Sequence, residues 1–368
     1  MSKIRDFVKR EVTFCIALVA ALISCIFVAP DRQYLDYIDF RTLALLYCLM
    51  VVVAGLRGAG VFTVLAHVFC EKASSLRAMC ALLVGLCFFS SMLITNDVAL
   101  LTFVPFAVVV LGLAHQVKEL VWVVVLQTVA ANLGSMLTPV GNPQNLYLYS
   151  YYSMSAGEFF SATGIVWGAS LLLLALLMVL FPKQKINVFL GEKPQLSVKS
   201  LAVYSVLLII CMLVVFRVID WPWMLATIVL VLIFYERRTL LQADFMLLLT
   251  FVCFFVFSGN LSRIDAVSTF LQNILNGHEL LVGAGASQII SNVPAALLLS
   301  GFTENGRALL LGVDIGGLGT PIASLASLIS LKLYSHAEGA NTGSFLIRFL
   351  LINAALLAFL VPLGLAIS

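Results

Sequence analysis

ITNDVALL at residues 94–101 and NLGSMLTPVGNPQN at 132–145 return in altered form as ISNVPAAL at 290–297 and DIGGLGTPIASLAS at 314–327. In register, Asn96 meets Asn292, Asn132 meets Asp314, Thr138-Pro139 meets Thr320-Pro321, Asn142 meets Ser324 and Asn145 meets Ser327. A third pair lies upstream, DFRTLALLYCLMVVVAGL at 39–56 with DFMLLLTFVCFFVFSGNL at 244–261. Each central motif interrupts an apolar run with Gly, Pro, amide or hydroxyl residues. Paired interruptions at corresponding places in two halves of a chain point to the substrate site of a secondary transporter.

The composition sets the solvent. With 62% hydrophobic and 11% charged residues over 368 positions, the chain has too little polar surface to cover a soluble globule. It reads as an all-α polytopic membrane protein. The net charge of +3 is too small to suggest nucleic acid. The eight cysteines show no CxxC spacing and no accompanying His, so a metal site is not expected.

A helix needs about 20 apolar residues to cross the hydrocarbon core. Runs near that length fall at 12–30, 39–56, 119–149, 158–181, 200–217, 222–236, 244–260, 307–334 and 343–366, about nine full crossings. Two more apolar regions, 75–112 and 279–303, are each bisected by a polar tip and read as re-entrant helical hairpins, since irregular backbone at membrane depth survives only inside protein or beside a wet cavity. With the N-terminus cytoplasmic, 16 of the 21 Lys and Arg residues fall inside, among them Lys3, Lys9, Arg10 and Lys193. Arg32, Arg41, Arg217, Arg263 and Arg307 fall outside, which satisfies the positive-inside rule. Residues 1–181 then form one repeat, with the 75–112 hairpin entering from the cytoplasm and 119–149 as its broken helix. Residues 182–199 form a cytoplasmic linker, and 200–368 form the inverted second repeat, with the 279–303 hairpin entering from outside and 307–334 as its broken helix.

The chemistry expected follows from the breaks. Helix N-termini meeting at membrane depth attract an anion without Lys or Arg, and no basic residue lies within the four motifs. Asn292 stands where an N-cap would, with Thr95, Asn96 and Asp97 offering similar caps at the other tip. Freed carbonyls and side-chain oxygens can hold a small cation at the same depth. The candidate substrate and ion site is Thr95, Asn96, Asp97, Thr138, Gly141, Asn142, Asn145, Ser291, Asn292, Asp314, Thr320, Ser324 and Ser327, with Na⁺ near Asn96 and Asn292. Asp97 and Asp314 stand out, because a carboxylate at the bilayer centre costs about 2.5–3.5 kcal/mol on insertion scales. The group Tyr147, Tyr149, Tyr151 and Tyr152 reads as an interfacial belt. His67, His115, His278 and His336 fall near segment ends as interfacial residues, and Asp39 and Asp244 as the starts of matched spans.

Taken together, ITNDVALL, TPVGNPQN, SNVPAA and GTPIASLASL resemble the ion-transporter superfamily of arsenite permeases, sodium/proton antiporters, citrate-transporter-like proteins and divalent-anion symporters. The resemblance implies an inverted-repeat fold, a solute held between hairpin tips and broken helices, and an elevator-type movement. The first tip reads Thr-Asn-Asp and the second Ser-Asn-Val, where dicarboxylate symporters show Ser-Asn-Thr in both. A transporter of a small anionic solute coupled to H⁺ or Na⁺ is therefore expected in a bacterial inner membrane. A sodium/proton antiporter and an arsenite efflux permease are the alternatives, and an intramembrane enzyme lacks a nucleophile and base at usable spacing. No cofactor is expected beyond the coupling ion. The expected partners are the solute and the lipid bilayer, with a homodimer left open.

Overall fold

A computed structural model describes residues 5, 7–8, 11–114, 116–186 and 194–368. Lys3, Lys9, Arg10, His115 and the linker segment 187–193 with Lys193 lie outside the described residues. Seventeen α-helices make up the described chain, which is all-α. The first half runs through α1 (Val12–Phe27), α2 (Phe40–Gly58), α3 (Val61–Glu71), α4 (Leu76–Ile94), α5 (Asn96–Leu113), α6 (Val117–Ser135), α7 (Pro143–Tyr151) and α8 (Ala156–Val179). The second follows as α9 (Val198–Val215), α10 (Trp221–Glu236), α11 (Phe245–Ser262), α12 (Asp265–Leu275), α13 (Glu279–Ile290), α14 (Asn292–Leu299), α15 (Gly306–Gly316), α16 (Leu325–Ser335) and α17 (Thr342–Ile367).

Both expected breaks are present. The chain leaves helical geometry between α6 and α7 and again between α15 and α16, where Pro139, Pro143 and Pro321 cannot donate to a continuing ladder. Helix pairs stand where the two hairpins are expected, α4–α5 and α13–α14, each turning on a single residue, Thr95 or Ser291. Among the described residues, seven stretches are long and apolar enough to cross a membrane: Arg32–Gly58, which contains α2, and α4, α5, α8, α9, α11 and α17. Helices α1 and α10, read as crossings, have 16 residues each and fall short of that length. The hairpins are unequal, with arms of 19 and 18 residues in the first and 12 and 8 in the second.

Helix α8 is a ruler for the molecule. Its 24 residues span about 36 Å at 1.5 Å per residue. The base of the first hairpin lies just beyond its C-terminal end, where Leu76 N donates to Gln184 O (2.8 Å) and Arg77 Nε to Phe181 O (2.7 Å). The base of the second lies at its N-terminal end, where Tyr152 OH donates to Ser300 O and Thr303 O (both 3.0 Å) and Arg307 Nη2 to Ser161 O (3.4 Å). The two hairpins therefore start from opposite ends of the molecule and point toward each other.

Small residues let the hairpins approach the broken helices. A Cβ on Gly134 of α6 would overlap Phe88 O of α4, and one on Gly316 of α15 would overlap Ala284 of α13. These glycines are register partners, as are Phe88 and Ala284, so the same close crossing is built twice.

Helices α3 and α12 were not anticipated. Each has 11 residues, too few to span, and each follows the matched helix of its half. Helix α3 buries Ala66, His67 and Cys70 while exposing Leu65 and Phe69, and α12 exposes Phe270 and Ile274. His67 is thus a buried residue of α3. Helix α1 lies along α11, while α9 and α10 lie against α2, so the flanking helices dock on the opposite halves. Asn260 on α11 fastens α1 by donating to Ser24 Oγ (2.9 Å) and Tyr34 OH (2.8 Å). Beside it, Arg263 pairs with Asp31 at 2.9 Å and holds that carboxyl below the usual carboxylate range.

Candidate functional site

The two tips have the same local geometry. Thr95 adopts φ 67°, ψ 151° and Ser291 φ 74°, ψ 153°, a region that is nearly glycine-only and costs a non-glycine residue about 1–3 kcal/mol. The residues at the N-cap positions are these two, and Asn96 and Asn292 are the first helical residues of α5 and α14, one place later than their sequence suggests. Each asparagine Oδ1 accepts from the next backbone N–H, Asp97 N or Val293 N, at 2.9 Å. Each backbone N–H reaches into its own half's break, Asn96 N to Gly141 O (3.1 Å) and Asn292 N to Ala323 O (2.9 Å). The matched threonines seal the other side, with Thr138 Oγ1 donating to Met92 O and Thr320 Oγ1 to Gln288 O (3.1 Å). Met92 and Gln288 each stand three residues before a tip, so the pairing follows the register throughout.

The breaks then cross-connect the halves. Asn132 Oδ1 accepts from Asn96 Nδ2 and from Ser324 Oγ, both at 3.0 Å, and Asn132 Nδ2 reaches Gly317 O at 3.5 Å. Its register partner Asp314 takes the corresponding place in the second half, and its Oδ1 accepts from Asn142 Nδ2 and Gln144 Nε2, both at 3.3 Å. Asn142 is locked in that orientation, because its Oδ1 caps α7 by accepting from Asn145 N at 2.9 Å. A Cβ on Gly141 would overlap Ser135 O, so only glycine lets the chain double back there.

Asp314 is 3% exposed, which excludes a surface position. Among the described residues its Oδ2 has no hydrogen-bond partner, and neither do the buried Asn145 Oδ1 and Ser327 Oγ, which are register partners of each other. Buried acceptors left open in this way invite a donor or a cation. No Lys or Arg donates into the cluster among these bonds.

A cavity of about 240 Å³ touches the cluster at Asn142, and a second of about 390 Å³ lies beside that cavity, with Asp97, Asp244, Leu247 and Ile329 lining both. The smaller reaches Thr95 and Asn142, and the larger reaches Val293 and Pro294 behind the second tip. Asp97 therefore faces these cavities, half-buried, and stands apart from the Asn132–Asp314 cluster. Asp244 caps α11 through Leu247 N (2.9 Å), as Asp39 caps α2 through Thr42 N (2.9 Å), and it also lines the cavities. Tyr147 and Tyr149 are buried and form no surface belt, whereas Tyr151 is exposed.

Three further residues take part. Asn132 appeared only as the partner of Asp314. Gln144 lies inside the quoted motif, and only the fold brings it to Asp314. Gln288 closes the second break, its Nε2 donating to Gly316 O (2.8 Å), Leu318 O (3.0 Å) and Ala284 O (3.1 Å) while its Oε1 accepts from Thr320 N (2.9 Å). Replacing it by Leu strands those groups, so Gln288→Leu is expected to lower stability by about 1–3 kcal/mol, seen as a lower thermal unfolding temperature in detergent. Met92→Leu, at the matched position, should be nearly silent. Equal unfolding temperatures for wild type and Gln288→Leu would remove the closing role of Gln288.

A family model described as "Citrate transporter" matches residues 2–305. The chain belongs to the citrate transporter family. It is 32% identical over 339 residues to an uncharacterized transporter of Methanocaldococcus jannaschii, covering 89% of this chain and 90% of that one. The inner membrane protein YbiR of Escherichia coli is 30% identical over 306 residues, 80% of each chain. A silicon efflux transporter of Oryza sativa subsp. japonica is 31% identical over 134 residues, 36% of this chain and 27% of its own. The protein is a membrane transporter and not an enzyme.

Proposed function

We infer that the chain is a secondary active transporter of a small anionic solute, driven by a H⁺ or Na⁺ gradient, with the solute held between the two tips and the two breaks. The halves act as inverted repeats, with the N-terminus and the 182–199 linker cytoplasmic, the first hairpin entering from inside and the second from outside. The observation that carries this reading is the convergence of both breaks on one buried polar cluster beside open cavities, with Asp314 Oδ2, Asn145 Oδ1 and Ser327 Oγ unpartnered. Four helices, α5, α7, α14 and α16, begin at this cluster, and their N-terminal dipoles favour an anion.

A second reading is cation/proton antiport, favoured by the fact that Asp314 is the charged side chain of the cluster and Asp97 and Asp244 line its cavities. One assay separates the two. Purified protein in proteoliposomes is offered labelled citrate, after the family's description, and silicic acid, after the partial relative, under a pH or a Na⁺ gradient. Concentrative solute uptake that collapses with the gradient supports solute transport. Na⁺-dependent proton movement with no accumulation of either solute would replace it by antiport.

A further inference from the structure

The two ends of the molecule carry related cavities in unequal states. Of the residues lining the 240 Å³ cavity near the first tip, Met50, Val53 and Arg57 belong to α2, Leu101 to α5 and Ile329 to α16. The repeat register converts these five into Phe255, Ser258, Ser262, Leu297 and Tyr147. All five line another cavity, also of about 240 Å³, beside Asp36 and Tyr37 at the opposite end of α2. An accidental void between helices has no reason to obey the register, so the second cavity is the counterpart of the first.

They differ in depth. The first cavity reaches Thr95, Asp97 and Asn142, whereas the second touches none of Ser291, Asn292 or Ser324 and ends at Tyr147 and Ser300. The Tyr147 and Ser300 hydroxyls share a hydrogen bond of 2.7 Å. The Tyr147 ring is wedged against Tyr151, Phe255 and Phe251, with centroids 5.4, 5.7 and 6.3 Å away. At the matched place on the other side stand Ile329 and Val104, which have no polar group to join. The first cavity extends as far as its tip, and its counterpart stops at a tyrosine and a serine from α7 and the end of the second hairpin.

We propose that the cavity at Tyr37, Ser258 and Ser262 is the external permeation pathway in its closed state, and that the Tyr147–Ser300 hydrogen bond latches it. Its sidedness rests on the orientation proposed above. The latch joins two neutral hydroxyls, so it breaks without leaving a charge in an apolar throat. The mouth it guards carries Ser258, Ser262 and Asp36, where the open inner mouth has Val53 and Arg57, so the two entrances present different chemistry to the solute.

The test uses the full chain in cells and in inverted membrane vesicles, with a charged, membrane-impermeant methanethiosulfonate as probe and the parent protein with its native cysteines as background. Ser258→Cys is expected to react from outside and Val53→Cys from inside. Val293→Cys, in the adjoining 390 Å³ cavity that shares Asp97, Asp244, Leu247 and Ile329 with the inner one, should react from inside and hardly from outside. Adding Tyr147→Phe or Ser300→Ala, which each remove the bond while keeping the fold, should raise its outside reactivity about five- to tenfold. Ser258→Cys reacting only from inside would overturn the orientation and leave the function otherwise standing. Reaction from neither side would overturn the pathway, and outside labelling of Val293→Cys unchanged by both latch variants would overturn the latch.

Discussion

Asp314→Asn is expected to reduce concentrative uptake at least about tenfold, the equivalent of some 1.4 kcal/mol, while exchange of solute across the membrane survives. Asparagine keeps the volume, and its oxygen can still accept from Asn142 and Gln144, so what disappears is the charge on the free Oδ2. The molecule contains its own control: Asn132, the register partner, occupies the equivalent place as a neutral amide with its oxygen satisfied by Asn96 and Ser324. An amide at such a site is therefore compatible with folding. A carboxylate buried without a basic partner, by contrast, is stable only with a proton or a cation, and a group that must gain and lose one is suited to couple transport to an ion gradient. Asp97→Asn, at a half-buried cavity position, should act more weakly. Uptake and counterflow are measured in proteoliposomes across pH and Na⁺ gradients. Identical pH and Na⁺ profiles for wild type and Asp314→Asn would end the coupling role.

Much of the candidate site's local geometry was legible because the repeat writes it twice. Thr138 and Thr320, Gly141 and Ala323, and Asn96 and Asn292 occupy equivalent positions, and each pair makes equivalent bonds in the fold. The burial of Asp314 followed from its match to a motif inside an apolar run. Other features were hidden for physical reasons. The bond from Gln144 to Asp314 joins residues 170 positions apart and exists only because the two breaks meet. The tyrosines at 147–152 look like a belt by type, yet α7 turns Tyr147 and Tyr149 inward and leaves Tyr151 outside. Helices α3 and α12 carry too few apolar residues to register as spans. Unequal hairpin arms do not follow from the tip motifs, because the motifs fix where a helix turns and not how far its arms run.

The asparagines at the tips give the second large effect, and the structure makes it unequal. Asn96→Ala removes the acceptor for Asp97 N and the donor to Asn132, and with it the side-chain link between the first hairpin and the Asn132–Ser324 pair from the two breaks. Asn292→Ala removes the acceptor for Val293 N, and the side chain otherwise lies near Gly317. A buried group left unpaired costs about 1–3 kcal/mol, so each variant should lower uptake about five- to a hundredfold, with Asn96→Ala the more severe. The backbone bonds Asn96 N to Gly141 O and Asn292 N to Ala323 O persist in both, which should keep insertion and folding intact as judged by monodisperse elution from detergent. Asn96→Gln, which retains the amide but extends it by one methylene toward Asn132, should recover less than half of the loss, since the site asks for position as well as chemistry. Near-normal uptake by both alanine variants would make the tips structural turns and move the solute elsewhere in the molecule.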